Sequence, residues 1–172
     1  MSIQDERYKN AAAEFGRAIE RLARGYEADP DRRRDLLQEI HFAMWRSFAL
    51  FDDRCSLRTW VYRVAHNAAA SYVLSRRRVK LEQQVDLEEL DCADEAADPE
   101  VQAGDQQALA MLQAMILQLK PPDAQVMLLY LEDFDAPAIA DVTGLSPGAV
   151  ATRIHRVKTI LAKRFQEGGQ PT

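Results

Sequence analysis

Residues 56–67, which read SLRTWVYRVAHN, combine aromatic rings and cations in one short stretch. Trp60 and Tyr62 lie between Arg58 and Arg63. Cationic side chains attract phosphate and aromatic faces can stack on bases, so this composition suits a nucleic-acid partner. The alternative for both rings is packing in a hydrophobic core.

Charge is distributed unevenly along a chain whose formal net charge is −5. Two basic segments flank an acidic one, and each segment lacks charges of the opposite sign. The first basic segment, residues 54–80, contains Arg54, Arg58, Arg63, Arg76, Arg77, Arg78 and Lys80. The acidic segment, residues 81–119, contains Glu82, Asp86, Glu88, Glu89, Asp91, Asp94, Glu95, Asp98, Glu100 and Asp105. The second basic segment, residues 142–166, contains Arg153, Arg156, Lys158, Lys163 and Arg164. One such block would suit a solvated helix face, but two acid-free basic blocks favour nucleic acid.

Apolar residues at helical spacing and sparse turn clusters predict an all-α fold. A first helix is predicted over residues 8–27, and Asp29-Pro30-Asp31 ends it and starts a second helix. Ser56 is a suitable N-cap for a third helix that extends to about Ser75. The predicted core face of this third helix consists of Leu57, Val61, Val64, Ala65 and Ala68. These helices are expected to form one small bundle.

The remainder of the chain predicts a linker followed by a second helical domain. Residues 81–105 are acidic and poor in large apolar side chains, which is typical of a linker. Helical periodicity resumes at Gln106, Pro121-Pro122 interrupts it, and Asp123 can cap the next helix. The predicted domains are therefore residues 1–80 and 106–167, with a tail at 168–172.

The C-terminal segment has the character of a helix-turn-helix unit. Gly144 lies where a tight interhelical turn needs a left-handed residue, and Leu145 can fill the space between the helices. Ser146 and Pro147 are a suitable N-cap and first residue for a second helix. Its core stripe would be Val150, Ile154, Val157 and Leu161. An ordinary helical hairpin with a basic surface is the alternative, but the cap, the glycine and the charge together favour DNA binding.

Several other protein classes lack support in the sequence. It contains no Walker A loop, no GxGxxG, no metal-binding cluster and no nucleophile elbow, so we expect neither an enzyme nor a bound cofactor. Cys55 and Cys92 form no CxxC pair and fit a reducing compartment. Without an apolar signal core or a long apolar run, a cytoplasmic protein that is not inserted in the membrane is expected.

Two segments resemble the extracytoplasmic-function (ECF) group of sigma factors. Residues 130–161, YLEDFDAPAIADVTGLSPGAVATRIHRVKTIL, resemble domain four of that family. Residues 35–78, DLLQEIHFAMWRSFALFDDRCSLRTWVYRVAHNAAASYVLSRRR, resemble its domain two. The resemblance implies promoter-specific transcription initiation by core RNA polymerase, with contacts to its beta-prime and beta subunits.

The resemblance also implies three sets of site residues. Core polymerase is expected to contact Asp35, Leu36, Gln38, Glu39, Phe42, Trp45 and Arg46. Contacts to the minus-ten element are expected from Asp53, Arg54, Ser56, Arg58, Trp60, Tyr62, Arg63, Asn67, Arg76, Arg77 and Arg78. Contacts to the minus-thirty-five element are expected from Ser146, Ala149, Thr152, Arg153, His155, Arg156 and Lys158. Within the second set, the loop Asp52–Ser56 corresponds to the one that receives a flipped base, and the sequence leaves open whether Trp60 or Tyr62 faces DNA.

One departure from the family pattern concerns the polymerase-binding helix. Arg32-Arg33-Arg34 stand where most members carry an acidic run. Some members without those acids are thought to need phosphorylation by a Ser/Thr kinase, which adds negative charge, and Ser47 is a nearby candidate. An anti-sigma factor is another possible regulator. The rival function is a helix-turn-helix repressor that binds duplex operator DNA with symmetrical half-sites.

Overall fold

The computed structural model describes residues 1–84 and 104–168, and within these ranges the regular secondary structure consists of α-helices joined by turns and loops, without strands. The helices are α1 (Ile3–Tyr26), α2 (Pro30–Ser47), α3 (Leu57–Gln84), α4 (Gly104–Leu117), α5 (Pro121–Leu131), α6 (Ala136–Thr143) and α7 (Pro147–Gly168). The predicted all-α fold class is confirmed. Residues 85–103, which hold Cys92 and most of the predicted linker, and residues 169–172 lie outside the described residues; the linker's first positions are helical in α3 and its last in α4.

Local signals set the starts of the first three helices. Ser2 forms a capping box with Asp5, and the Asp29 carboxylate accepts a hydrogen bond from the Arg32 amide. Ser56 Oγ accepts from the Thr59 amide at 3.1 Å, as expected of an N-cap. The helix ends were predicted less well, because α1 begins five residues before the predicted start and α3 continues nine residues past Ser75.

The second unit, α4–α7, contains the predicted helix-turn-helix in α6 and α7. Asp135 caps α6, Gly144 adopts a φ of 77° at its C-terminal end, and Ser146 Oγ accepts from the Ala149 amide at 3.2 Å. The prediction that Asp123 caps α5 was wrong, since Lys120 is the N-cap residue and makes no side-chain cap bond. Proline suits the first turn of a helix, so Pro121 starts α5 two residues before Asp123.

The two helical units pack against each other. Helix α1 contacts α4 and α5, and α3 contacts α5 and α6. A single cluster of buried side chains includes Ile19 and Val61 from the first unit with Leu129 and Phe134 from the second. The third helix consequently buries more than its predicted stripe, since Tyr62 and His66 are also buried, whereas Val64 and Ala68 are only partly buried.

Neither a membrane span nor a metal centre is found in the part of the chain that the structure describes. No helix there combines the length and apolarity needed to cross a membrane. No group of three or more metal-ligating side chains comes together in those same ranges.

Candidate nucleic-acid and protein interfaces

An aromatic face lies exposed along α2. Phe42 is 55% exposed and Trp45 38%, and their rings stack with centroids 6.3 Å apart. The Arg46 guanidinium lies over the Phe42 ring, 5.7 Å from its centroid. The other exposed members of the predicted polymerase-binding set are Asp35, Gln38 and Glu39. The remaining member, Leu36, is fully buried in the core, so it supports the helix and is not available to a partner.

The first turn of α1 holds Trp45 in place. The indole Nε1–H donates to Asp5 Oδ1 at 2.9 Å, and Gln4 Nε2 donates to the Trp45 carbonyl at 2.8 Å. The bond from Trp45, followed by those from Ser2, lowers the pKa of the Asp5 carboxyl to about 2. This support for Trp45 was not predicted from the sequence, because Trp45 and Asp5 are 40 positions apart in the chain.

The loop Asp52–Ser56 is anchored at both ends. Its N-terminal end follows Phe51, whose carbonyl accepts a hydrogen bond from Arg7 at 2.8 Å, and its C-terminal end is the Ser56 cap. Arg7 also pairs with Asp53 at 3.1 Å, and Asp53 has the left-handed φ of 61°. Both Asp53 and Arg54 are exposed, as their predicted contact with DNA requires.

The two aromatic rings of the opening stretch are both packed in this conformation. Trp60 is partly buried against Phe51, with ring centroids 5.2 Å apart, and its Nε1–H donates to Ser47 Oγ at 3.0 Å. Tyr62 is 5% exposed, and its ring lies 4.7 Å from that of Phe134 in the second unit. Burial raises the pKa of the Tyr62 phenol to about 12.

A turn of the second unit covers the N-terminal half of α3. The Arg58 guanidinium lies over the Phe134 ring at 3.9 Å and donates to the Glu132 carbonyl at 3.1 Å. Tyr62 Oη donates to Glu132 Oε2 at 3.3 Å, and Arg63 donates to the Asp141 carbonyl at 2.5 Å. Three of the predicted minus-ten residues therefore bind the second unit in this structure.

Glu132 of the second unit forms an ion pair with Arg21 of the first unit. Its carboxylate accepts two bonds from Arg21 of α1, at 2.6 and 2.8 Å, in the paired geometry that arginine and carboxylate favour. These bonds, more than any other contact, hold the pKa of Glu132 below its usual value. The pairing of Arg21 with Glu132 was not predicted, because no local pattern relates positions that are 111 residues apart.

The buried side chain of His66 is a further feature that the sequence analysis missed. It is 1% exposed and faces Tyr26, whose hydroxyl lies 2.8 Å from Nδ1. Burial lowers the pKa of His66 to about 3. The imidazole is therefore neutral at physiological pH and serves the core.

The C-terminal half of α3 leaves its cations accessible. Asn67, Arg77 and Arg78 are exposed. Arg76 is partly buried and donates to the Tyr72 hydroxyl at 3.2 Å. Among the described residues, this end of the helix therefore offers an exposed basic surface, of which Arg77 also borders a small cavity shared with α4 and α5.

The second basic face lies on α7. Ser146, Ala149, Thr152, His155, Arg156 and Lys158 are exposed, while Arg153 is partly buried. Asp123 of α5 pairs with Arg153 at 2.8 Å and with Arg156 at 3.0 Å. Asp123 therefore orients two of the predicted DNA-contacting side chains instead of capping its own helix.

Two family models match this chain, in the order expected from the residues. A model described as Sigma-70 region 2 matches residues 12–79, and one described as Sigma-70, region 4 matches residues 109–161. The chain is also 27% identical over 148 residues to the ECF RNA polymerase sigma factor SigG of two Mycobacterium tuberculosis strains, CDC 1551 / Oshkosh and ATCC 25618 / H37Rv. That alignment covers 74% of this chain and 40% of those relatives, so the chain spans less than half of their length.

Two solved structures share the fold at low sequence identity. CnrH in complex with the cytosolic domain of CnrY is 22% identical, with a TM-score of 0.65 over 93% of this chain and 88% of that one. The sigma factor RpoE in complex with the anti-sigma factor NepR, from Bartonella quintana, is 17% identical, with a TM-score of 0.68 over 92% and 96%.

Proposed function

This chain belongs to the sigma-70 family, in its ECF group. From that premise we propose that it is an alternative sigma factor that directs core RNA polymerase to specific promoters. The observation that carries the proposal is the presence of two different exposed faces on one chain. The aromatic face of α2 suits a protein partner, and the basic face of α7 suits DNA. A repressor would need the second face but has no use for the first.

Residues 1–80 are proposed to bind polymerase and the minus-ten element. Phe42, Trp45 and Arg46 form an exposed aromatic and cationic cluster, which is the composition enriched in interface cores. Asp35 and Glu39 give the same face a charged rim. Its proposed partner is the beta-prime subunit.

Residues 106–167 are proposed to bind the minus-thirty-five element through α7. In helix-turn-helix proteins the second helix enters the major groove with its N-terminal part near the base edges. Thr152, Arg153 and Arg156 lie on that part of the helix, and arginine can read guanine or hold phosphate.

The packed arrangement of the two units is proposed to be a resting state. Arg58, Tyr62 and Arg63 donate hydrogen bonds to the second unit. Tyr62 is also buried beneath it, so promoter DNA cannot stack on that ring until the units separate. Binding of core polymerase is proposed to drive that separation. We therefore expect weak DNA binding by the free protein and promoter recognition mainly within the holoenzyme.

Control by a second protein is a finer part of the proposal. RpoE of Bartonella quintana is described in complex with an anti-sigma factor, and we propose an inhibitor of that kind for this chain. Phosphorylation is the alternative, prompted by Arg32-Arg33-Arg34. Ser47 is a poor site for phosphorylation in the resting state. Its hydroxyl donates a hydrogen bond to the Met44 carbonyl at 2.7 Å and accepts one from Trp60, so it is already engaged.

Run-off transcription with bacterial core polymerase tests the function directly. A pool of genomic fragments is transcribed with core alone and with core plus this protein, and the RNA starts are sequenced. We expect starts downstream of a shared two-part element only when the protein is present. Absence of such starts, together with tight binding of the free protein to symmetrical duplex sites, would support the repressor.

The regulatory part is tested by measuring the affinity of the unmodified protein for core polymerase. Weak binding that strengthens after kinase treatment would support phosphorylation. Tight binding without modification would rule out a phosphorylation requirement and leave an inhibitor as the control.

A further inference from the structure

Arg7, in the second turn of α1, binds the loop Asp52–Ser56 on both sides of its first residue. Its Nη1 donates to the Phe51 carbonyl at 2.8 Å, and its Nη2 pairs with Asp53 Oδ2 at 3.1 Å. The guanidinium also lies 5.5 Å from the centre of the Phe51 ring. The planar guanidinium group has several N–H donors and can bind both acceptors at once, which suits this site better than the single ammonium group of a lysine would.

The conformation of the loop shows why such support is needed. Asp53 is not glycine, yet its φ of 61° lies in the left-handed region, which is unfavourable for a residue that has a Cβ atom. Phe51 is buried against Phe48 and Trp60, so the Phe51 carbonyl is a fixed point. Arg7 therefore connects this fixed point to the strained residue of the loop.

Arg7 also determines what the loop can offer to a base. The Asp53 carboxylate is exposed and would accept hydrogen bonds, but one of its oxygens is already occupied by Arg7. The pairing sets the direction of the other oxygen and reduces the negative charge that a nearby phosphate would meet. Residue 7 lies before residue 12, where the match to the family model begins.

We propose that Arg7 is a positioning residue that sets the base preference of the loop Asp52–Ser56 at the minus-ten element. This role rests on the proposed function of the chain, but its physical basis, the ordering of the loop, does not. The two parts can therefore be tested separately.

The first measurement concerns the free, full-length protein. Amide hydrogen exchange is followed in a peptide that covers the loop, for wild type, Arg7→Ala, Arg7→Lys and the control Arg17→Ala. Arg17 is an exposed arginine on the same helix, with no side-chain hydrogen bond among the described residues. We expect exchange at residues 52–55 to become several-fold faster in Arg7→Ala, less so in Arg7→Lys, and to stay unchanged in Arg17→Ala.

The second measurement concerns the holoenzyme. Each variant is combined with core polymerase and transcribes a pool of promoter fragments randomised across the minus-ten region. We expect the preference among the four bases at the position read by the loop to fall about fivefold or more in Arg7→Ala, the low end of what one mismatched base costs. Affinity for core polymerase and the thermal unfolding midpoint should stay at the wild-type values.

The outcomes distinguish the ordering of the loop, the base preference at the minus-ten element and the proposed function of the chain. Unchanged loop exchange in Arg7→Ala overturns the positioning role even if the protein proves to be a sigma factor. Faster exchange with an unchanged base preference, or a uniform loss of initiation together with weaker core binding, overturns the specificity role. If wild type itself selects no start sites, the proposed function fails, while the exchange experiment still decides whether Arg7 orders the loop.

Discussion

Gly25 of α1 and Leu128 of α5 touch where the two helical units meet. A Cβ atom at position 25 would lie 2.8 Å from Leu128 Cδ1 and 3.1 Å from its Cγ, closer than such atoms pack. Glycine therefore permits the close approach of the two helices. Gly16, two and a half turns earlier on the same helix, has nothing within 4 Å of the equivalent position.

This contrast predicts that Gly25→Leu opens the resting state. The larger side chain must displace Leu128, which should weaken the interface by about 1–3 kcal/mol, as overpacking does. Small-angle X-ray scattering should show a larger radius of gyration, and the free protein should bind promoter DNA more tightly. The control Gly16→Leu should do neither and should stabilise α1 slightly, because leucine is a better helix former than glycine. Equal scattering curves for the two variants would contradict the resting-state model.

The burial of a neutral His66 predicts that the protein loses stability in mild acid. Its folded pKa is about 3, below the ordinary value of 6.5, so its contribution to stability is complete above pH 6.5 and is lost as the pH falls towards 3. The loss should amount to a few kcal/mol, measured as the free energy of unfolding in urea between pH 7 and pH 4.

Two histidine variants separate this effect from the titration of carboxylates. His66→Gln can still form a hydrogen bond with Tyr26 but does not titrate, so its stability should fall less between pH 7 and pH 4. His155→Gln changes an exposed histidine and should retain the wild-type slope. If His66→Gln also retains that slope, His66 is not the source of the acid sensitivity.

The aromatic pair on α2 predicts a polymerase-binding hot spot. Phe42→Ala and Trp45→Ala should each weaken core affinity by about 2 kcal/mol, roughly thirtyfold, if these rings occupy the centre of the interface. Leu50→Ala is the control, since Leu50 is 79% exposed but lies outside α2. Core affinity is measured by competition against a labelled sigma factor, and a loss as large in Leu50→Ala would argue against a specific face.

Asp123 predicts a change in the salt dependence of DNA binding. Asp123→Asn releases Arg153 and Arg156 from their shared ion pair and should strengthen duplex binding at low salt. The slope of log affinity against log salt should steepen by up to about 2, because each arginine that gains a phosphate contact contributes roughly one unit. Asp105→Asn removes an exposed carboxylate of α4 and should leave the slope unchanged. Weaker binding by Asp123→Asn would mean instead that the ion pair holds the two arginines in their reading positions.

Structural features could be predicted from the sequence where the groups that cause them lie close together in the chain. Ser56, Gly144 and Ser146 act on backbone groups within one helical turn, so their roles follow from the neighbouring residues alone. The charge blocks can be read from the order of the residues, whereas an exposed Trp45 on α2 was expected from the resemblance to the family and not from helical spacing. Leu36 was placed in the polymerase-binding set, but it is buried. A resemblance between helix sequences does not distinguish a residue that faces a partner from one that faces the core.

Periodicity, composition and the two motifs were enough to determine an all-α chain, the helix-turn-helix and the family. Only the tertiary structure decided that Tyr62 and His66 are buried, that Glu132 joins Arg21 to Tyr62, and that Arg7 supports Asp53. An amphipathic pattern states which side of a helix is apolar but not which helix covers it. The partners of these residues lie between 40 and 111 positions away in the chain, so no local pattern encodes them.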